Sequence, residues 1–491
     1  MPDPLNGETK HLKFIRLAIG CAFLLSSAAI IAAARGDLWL DEIWSLAFAH
    51  DARSAADIFL HYHHDNNHPL CTLFLYCVGE PDCLYVYRLL SVLSGIGAVL
   101  LAGFVAKEEW GYPEALCSVV LIGSSYPLLL YFSEARGYAP AIFFGLAAYA
   151  ALRHNLRSRH WATLVLFWPA SILGMLSHAT FIMLSASLFL ASLAHQVQAH
   201  ESIRRGIMRL LAQHYVPLTF FAWWYVFYLK DMEIGGGPVY RTWAVIGQAS
   251  ALIFGLPDAV AFHVANITAF HAVAIIFILL VVVPGVAILY WRHDLQWIFF
   301  LAMLLIMPAA MLILSRPKFL YFRYFIICFP FFLLLLAQLA CHCSRLCPPR
   351  WRWLAFAPIV LVVAGQIPRD YHLLVTGRGD YSAALEYILA ASPDGPITVG
   401  SDHDFRNGMV IGFYAHRITG GERLRYLDQS RWLVESPEWI FAHNQDRTFQ
   451  PIQEHALKGI GVYRLIKVFP FSGISGWNWV LYRRSFEPPA P

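Results

Sequence analysis

The stretch Asp37-Leu38-Trp39-Leu40-Asp41-Glu42-Ile43-Trp44-Ser45 follows directly on an apolar run from Phe14 to Ala34. A run of ~20 apolar residues is long enough to cross a bilayer as one helix. The adjacent acids therefore sit where a membrane span emerges into water. Carboxylates beside hydrocarbon are costly and usually face a cavity or a partner. A second polar cluster, His61-Tyr62-His63-His64-Asp65-Asn66-Asn67-His68-Pro69, abuts another apolar run. Acids and histidines at two neighbouring membrane exits can converge on one site at the water boundary.

Working outward, the chain is 58% hydrophobic and only 14% charged. A soluble domain carries about 25% charged residues, so the composition reads as an integral membrane protein. The first run is too long for the core of a signal peptide and has no convincing cleavage site. It reads as an uncleaved helix behind a short polar tail, residues 1–13. The net charge of +4 is small and the basic residues are spread over loops, with no aromatic-interleaved basic stripe for nucleic acid. Of the nine cysteines, Cys71, Cys77 and Cys83 are close enough in sequence for one disulfide. Cys341-His342-Cys343 with Cys347 lacks the second pair of a good metal motif and reads as membrane-edge thiols.

Apolar runs against polar breaks predict about eleven spans. They are 14–34, 84–106, 114–132, 138–152, 161–176, 178–194, 214–229, 266–291, 295–315, 322–341 and 353–368, with Ser177-His178 as a hairpin tip. Lys10, Lys13 and Arg16, then Arg153, Arg157 and Arg159, then Arg204, Arg205 and Arg209, Arg292, and Arg345, Arg350 and Arg352 all fall on one side. Positive charge marks the cytoplasmic side. This puts the N-terminus in the cytoplasm and loops 36–83 and 230–265 outside with the tail after 369. Ala55, Ile58, Phe59 and Tyr62 recur at helical spacing and predict an amphipathic interfacial helix. Gly235-Gly236-Gly237-Pro238 suits a lid hinge or a plain connector. Residues 370–491 change character: Tyr381–Ala391 reads as helix, Ile397–Ser401 and Trp477–Arg483 as strands. The expected architecture is a polytopic helical module, 1–369, with a small C-terminal α/β domain, 370–491, docked outside.

Four polar constellations share the outer face under this topology. Asp41-Glu42 suits helix capping as well as chemistry. Asp65 to Pro69 suits a turn ended by proline, which leaves the three histidines and the aspartate unexplained. Tyr131-Phe132-Ser133-Glu134-Ala135-Arg136-Gly137-Tyr138 joins two spans, and arginine's planar fork suits phosphate oxygens. Arg316-Pro317-Lys318-Phe319-Leu320-Tyr321-Phe322-Arg323-Tyr324 puts three cations against the positive-inside trend, which snorkelling only partly explains. Acids to activate a hydroxyl and cations to hold a phosphate together suit group transfer from a lipid-phosphate donor. No P-loop or dinucleotide fingerprint is present.

Asp41-Glu42 after the first span, Asp65…His68-Pro69-Leu70, Glu134-Ala135-Arg136-Gly137-Tyr138 and Arg323-Tyr324 resemble the motifs of GT-C glycosyltransferases. The resemblance is to bacterial members related to protein O-mannosyltransferases, to the lipid A aminoarabinose transferase and to the rhizobial lipopolysaccharide galacturonosyltransferases. It covers roughly the first 330 residues, and the tail agrees only in kind. The family implies a polyprenyl-phosphate sugar donor and inversion at the anomeric carbon. It further implies a hydroxyl acceptor outside the cytoplasm (lipopolysaccharide, another surface glycan or protein) and a multi-pass place in a bacterial inner membrane. Asp41 matches the family's catalytic aspartate, with Glu42 its motif neighbour. Adjacent helical residues diverge by about 100°, so one of the two faces the reacting centre. Arg136 and Arg323, with Tyr324 and Lys318, would hold the donor phosphate. Asp65, His68, Glu134 and Tyr138 would line the acceptor or donor side. Relatives carry a second proline where this chain has Leu70. Some GT-C enzymes use a divalent cation, but no ligand set here stands out. The alternative, a transporter or flippase of lipid-linked sugars, would want charges near the middle of its spans. Few of the predicted spans carry any.

Overall fold

The structure, a computed structural model, describes residues 4–199, 202–256, 269–445 and 449–485. Apolar side chains on every face force most of the chain into membrane-length helices, because a helix satisfies its own backbone in lipid. Among the described residues, seven helices are long and apolar enough to cross, or eight when Tyr112–Gly123 and Tyr126–Phe132 count as one span broken by 68°. Each of the eleven expected spans is helical over most of its described length. Several are too polar or too short to pass as spans alone; Tyr138–Ser158, for instance, carries Arg153 and Arg157.

The polar tail over 1–13 is helical from Pro4, within helix Pro4–Ala33. Three expectations need correction. The interfacial helix of the first loop shrinks to Ala55–Leu60, with Ile58 its buried residue. The outer loop 230–265, described as far as 256, contains an apolar helix, Thr242–Phe254. Residues 257–268, which include the start of the expected 266–291 span, lie outside the described residues. The cysteines are free: Cys71 is buried while Cys77 and Cys83 are exposed. Cys341 turns inward to face Cys117, with the sulfurs 3.8 Å apart.

Helix ends at membrane depth need partners, and one glutamine supplies them for two helices. Gln366 accepts from the Tyr126 N–H (3.3 Å) at the start of Tyr126–Phe132 and donates to the Leu252 and Ile253 carbonyls at the end of Thr242–Phe254. The backbones there touch through Gly255 and Gly365; a Cβ on Gly255 would lie 2.5 Å from the Gly365 carbonyl carbon.

The last long helix, Ala357–Thr376, leads through Gly377 and Arg378 into a small sheet domain. Its strands are β1 Ile397–Ser401, β2 Leu424–Tyr426, β3 Trp439–Asn444, β4 Glu454–Leu457, β5 Gly461–Phe469 and β6 Asn478–Ser485, in the order β2-β1-β3-β6-β5-β4. β1 runs parallel to β2 and β3, and the remaining pairs are antiparallel. The period-2 alternation of strands divides the side chains between two cores. Trp439, Phe441, Trp479 and Leu481 face helices Tyr381–Ala391 and Asp404–Ala415, while Ile440, Val480 and Tyr482 pack with Leu427, Trp432 and Tyr463. The first of these cores also contains Leu38, Trp39, Leu40, Ile43, Cys71 and Leu75 of the first outer loop. Loop and tail thus share one hydrophobic interior.

Candidate active site

Asp41 and Glu42 open helix Leu40–Asp51, whose first turn they share. The helical 100° step sends them to different places. Glu42 is fully buried; it accepts from the Trp39 N–H (3.2 Å), from the Ala135 N–H (2.7 Å) and from both ends of the Arg88 guanidinium (2.7 and 2.6 Å). Glu42, not Asp41, therefore caps the helix. Burial drives the Glu42 carboxyl upward, but the Arg88 charge and hydrogen bonds outweigh it and hold the group below its ordinary value. Arg88 also donates to the carbonyls of Ala34, Arg35, Gly36 and Asp37, closing the C-terminal end of helix Pro4–Ala33.

Asp41 points the other way, into a two-arginine clamp. Its Oδ2 lies 2.9 Å from Arg136 Nη1 and 3.0 Å from Arg323 Nη1. Arg136 is buried and donates from Nη2 to Asn66 Oδ1 (2.8 Å), whose amide in turn donates to the Asp41 carbonyl (3.0 Å). The guanidinium lies 4.9 Å from the Tyr138 ring and that of Arg323 4.7 Å from the Tyr321 ring. Nε of Arg136, Nε of Arg323 and Nε2 of His68 are buried and have no hydrogen-bond partner among the described residues. Unmet buried donors cost about 1–3 kcal/mol each. Their gathering around the clamp leaves donors that an anion could take up.

His68 caps helix Pro69–Val78, with Pro69 at its first position as the sequence suggested. Its ring stacks 5.0 Å from His178 and meets Tyr138 edge-on at 5.3 Å. Burial first, then the neighbouring cations, pushes His68 well below the usual imidazole value and His178 to about 3, so both rings are neutral. Asp65 accepts from the Gly235 N–H (2.8 Å) and the Tyr324 hydroxyl (3.3 Å). The Gly235–Pro238 segment is therefore pinned over the site by Asp65, helped by backbone bonds of Glu233 to His63 and Asp65.

The structure brings together Asp41, Asp65, His68, Arg136, Tyr138, Arg323 and Tyr324. It leaves out three expected residues. Glu42 is buried behind the helix, and Lys318 is exposed over the Phe319 ring (5.3 Å). Glu134 is buried against Arg378, with Nε and Oε1 3.3 Å apart; burial raises its carboxyl despite that charge. Sequence reasoning missed Asn66, Arg88, His178 and Arg378. Arg88 had a signal, as a single arginine in the first turn of the apolar run 84–106; Arg378, ten residues past the end of the span 353–368, had none. The donor set does not fit a divalent cation. Asp41 meets guanidinium groups instead of further oxygens, and no group of three His, Cys, Asp or Glu among the described residues is placed to hold a metal.

No family model and no curated protein matches the chain. Solved structures do. ArnT from Cupriavidus metallidurans in the apo state superposes with a TM-score of 0.51 at 12% identity, over 96% of this chain and 98% of that one. The chain has the GT-C fold. ArnT bound to undecaprenyl phosphate gives a TM-score of 0.38 at 12% identity over 98% and 99%. The oligosaccharyltransferase AglB from Archaeoglobus fulgidus, in complex with an inhibitory peptide and a dolichol-phosphate, gives 0.44 at 11% identity over 88% and 69%. The apo ArnT match carries the assignment. It extends the GT-C resemblance, read from motifs in the first 330 residues or so, to the sheet domain as well.

Proposed function

We propose that the chain is an inverting glycosyltransferase. It moves a sugar from a polyprenyl-phosphate donor to a hydroxyl of an acceptor on the outer side of a bacterial inner membrane, with the N-terminus in the cytoplasm. Residues 1–369 form the catalytic module and 370–491 the outer domain, with lipopolysaccharide, surface glycan or protein as acceptor class. One observation carries this reading: a carboxylate shared by two arginines whose buried Nε donors have no partner among the described residues.

In the resting arrangement Asp41 occupies the clamp. A donor phosphate entering beside it takes over the guanidinium groups, and Asp41 is freed to hydrogen-bond the acceptor hydroxyl. The acceptor oxygen attacks the anomeric carbon from the face opposite the phosphate and its proton passes to Asp41. The bond from anomeric carbon to phosphate oxygen breaks, and the electron pair leaves with the phosphate. Arg136 and Arg323 stabilise the charge that develops there. Neutral His68 and His178 avoid adding a third cation while walling off water with Tyr138.

The test is purified protein in detergent with a panel of polyprenyl-phosphate sugars. One donor should turn over, and Asp41→Asn should lower the rate by about 10²–10⁴-fold. Full transfer activity in Asp41→Asn at matched expression would remove the general-base assignment.

A further inference from the structure

The sheet domain carries a second side-chain cluster that the transfer step does not use. It lies at the C-terminal ends of the parallel strands β1 and β3, where open α/β sheets receive ligands. Asp402, just after β1, accepts from the backbone N–H of His443 (3.0 Å) and bonds its ring at Nδ1 (2.8 Å). That leaves His443 Nε2 to accept from Arg406 Nη1 (3.1 Å). The acids nearby are engaged elsewhere: Asp402 also takes the Asn407 amide, and Asp404 takes the Tyr426 hydroxyl and the Gln429 N–H. Among the described residues, the other guanidinium N–H groups of Arg406 have no partner. His403 completes the cluster, its ring 5.9 Å from that of His443.

This cluster lies on the side of the sheet domain that meets the helix bearing Asp41. Phe405, next to Arg406, meets Trp44 edge-on at 5.1 Å, one helical turn from Asp41. Arg406 is also near enough to act electrostatically on the hydroxyls of Tyr240 and Tyr321, both of which feel Arg323 as well.

We infer that Arg406, oriented by the Asp402–His443 pair, binds a phosphate or carboxylate carried by the transferred sugar or by the acceptor. A planar fork held at one nitrogen and open along the rest matches a two-oxygen anion. A wholly neutral glycan would leave that edge unmet. The inference rests on the glycosyl-transfer reading and names the substrate class of the same site: one partner in the reaction is anionic beyond the donor's phosphate link.

The experiment titrates the full chain in a neutral detergent with glucose, glucose 6-phosphate and glucuronate by calorimetry. At least one charged probe should bind about tenfold or more tightly than glucose. Arg406→Gln should erase that preference, Arg406→Lys should keep part of it, and Lys318→Gln, at an exposed cation outside the site, should leave it in place. Equal binding of all three probes, or a preference indifferent to Arg406→Gln, overturns the inference. A polyprenyl-phosphate sugar added as competitor assigns the source. A displaced charged probe puts the anion on the transferred sugar; a probe bound alongside puts it on the acceptor. Absence of any polyprenyl-phosphate binding would sink the transfer reading instead, while the probe comparison still decides whether Arg406 selects anions.

Discussion

At the scale of single residues, the site separates two carboxylates that the sequence places side by side. Asp41 is gripped by Arg136 and Arg323 and keeps some exposure; Glu42 is gripped by Arg88, and both are fully buried. Glu42→Gln leaves Arg88 buried beside a neutral amide, and removing one partner of a buried pair costs about 3–5 kcal/mol. The variant should show a markedly lower melting temperature in detergent, and Asp41→Asn, whose carboxylate is partly exposed, a smaller drop. The pH dependence has a definite sign. Glu42 is held below its ordinary value of 4.5 in the folded chain. Its contribution is therefore complete above that value and is lost as pH falls through the depressed one. A melting series from pH 6 downward should reveal an acid-side loss that Glu42→Gln lacks. Asp41, Arg136 and Arg323 were legible because each abuts an apolar run, where an unexplained charge is conspicuous. Asn66 was not, since an amide inside a polar turn has an ordinary reading and its bond to Arg136 spans 70 positions.

At the scale of elements, the Glu134–Tyr138 junction works because Gly137 has no side chain. A Cβ there would lie 1.8 Å from the Ser177 carbonyl oxygen and 2.8 Å from the His68 Cβ. Gly137→Ala must displace either the His178 hairpin or the His68 ring, so it should weaken binding of a polyprenyl-phosphate sugar and lower stability together. Gly236→Ala, which meets nothing within 4 Å, should change neither. Helix existence was legible in apolar run length. The helix Thr242–Phe254 was not, because thirteen residues are too few to span and read as loop. The break between Tyr112–Gly123 and Tyr126–Phe132 was likewise hidden, since the apolar pattern runs on across it.

At the scale of the whole molecule, the loop after the first helix and the C-terminal domain form one body. The Leu38 N–H donates to the Tyr414 hydroxyl (2.6 Å), which donates back to the Leu38 carbonyl (3.0 Å). Asp37 accepts from the Ser382 N–H and hydroxyl (2.7 and 3.0 Å). Arg378 reaches the Ala33 and Leu130 carbonyls, ending two membrane helices at once. Tyr414→Phe strands a buried N–H at a cost of about 1–3 kcal/mol. Faster amide exchange should then appear at residues 37–44 as well as in Asp404–Ala415, and donor turnover should fall although Tyr414 touches no reacting atom. An independently folded tail would confine the change to residues 404–415. The small α/β domain was legible from its short apolar runs. Its grip on the first loop was not, because partners 345 or more positions apart leave no local pattern.

That grip also sets a schedule for biogenesis. A chain emerging from the ribosome acquires Asp41, Arg136 and Arg323 long before Arg378, Ser382 and Tyr414. Until those late residues are made and packed, the loop bearing Asp41 lacks its supports. A product that stops short of them would, on the glycosyl-transfer proposal, present Asp41 on a loop whose bonds to Arg378, Ser382 and Tyr414 cannot yet form.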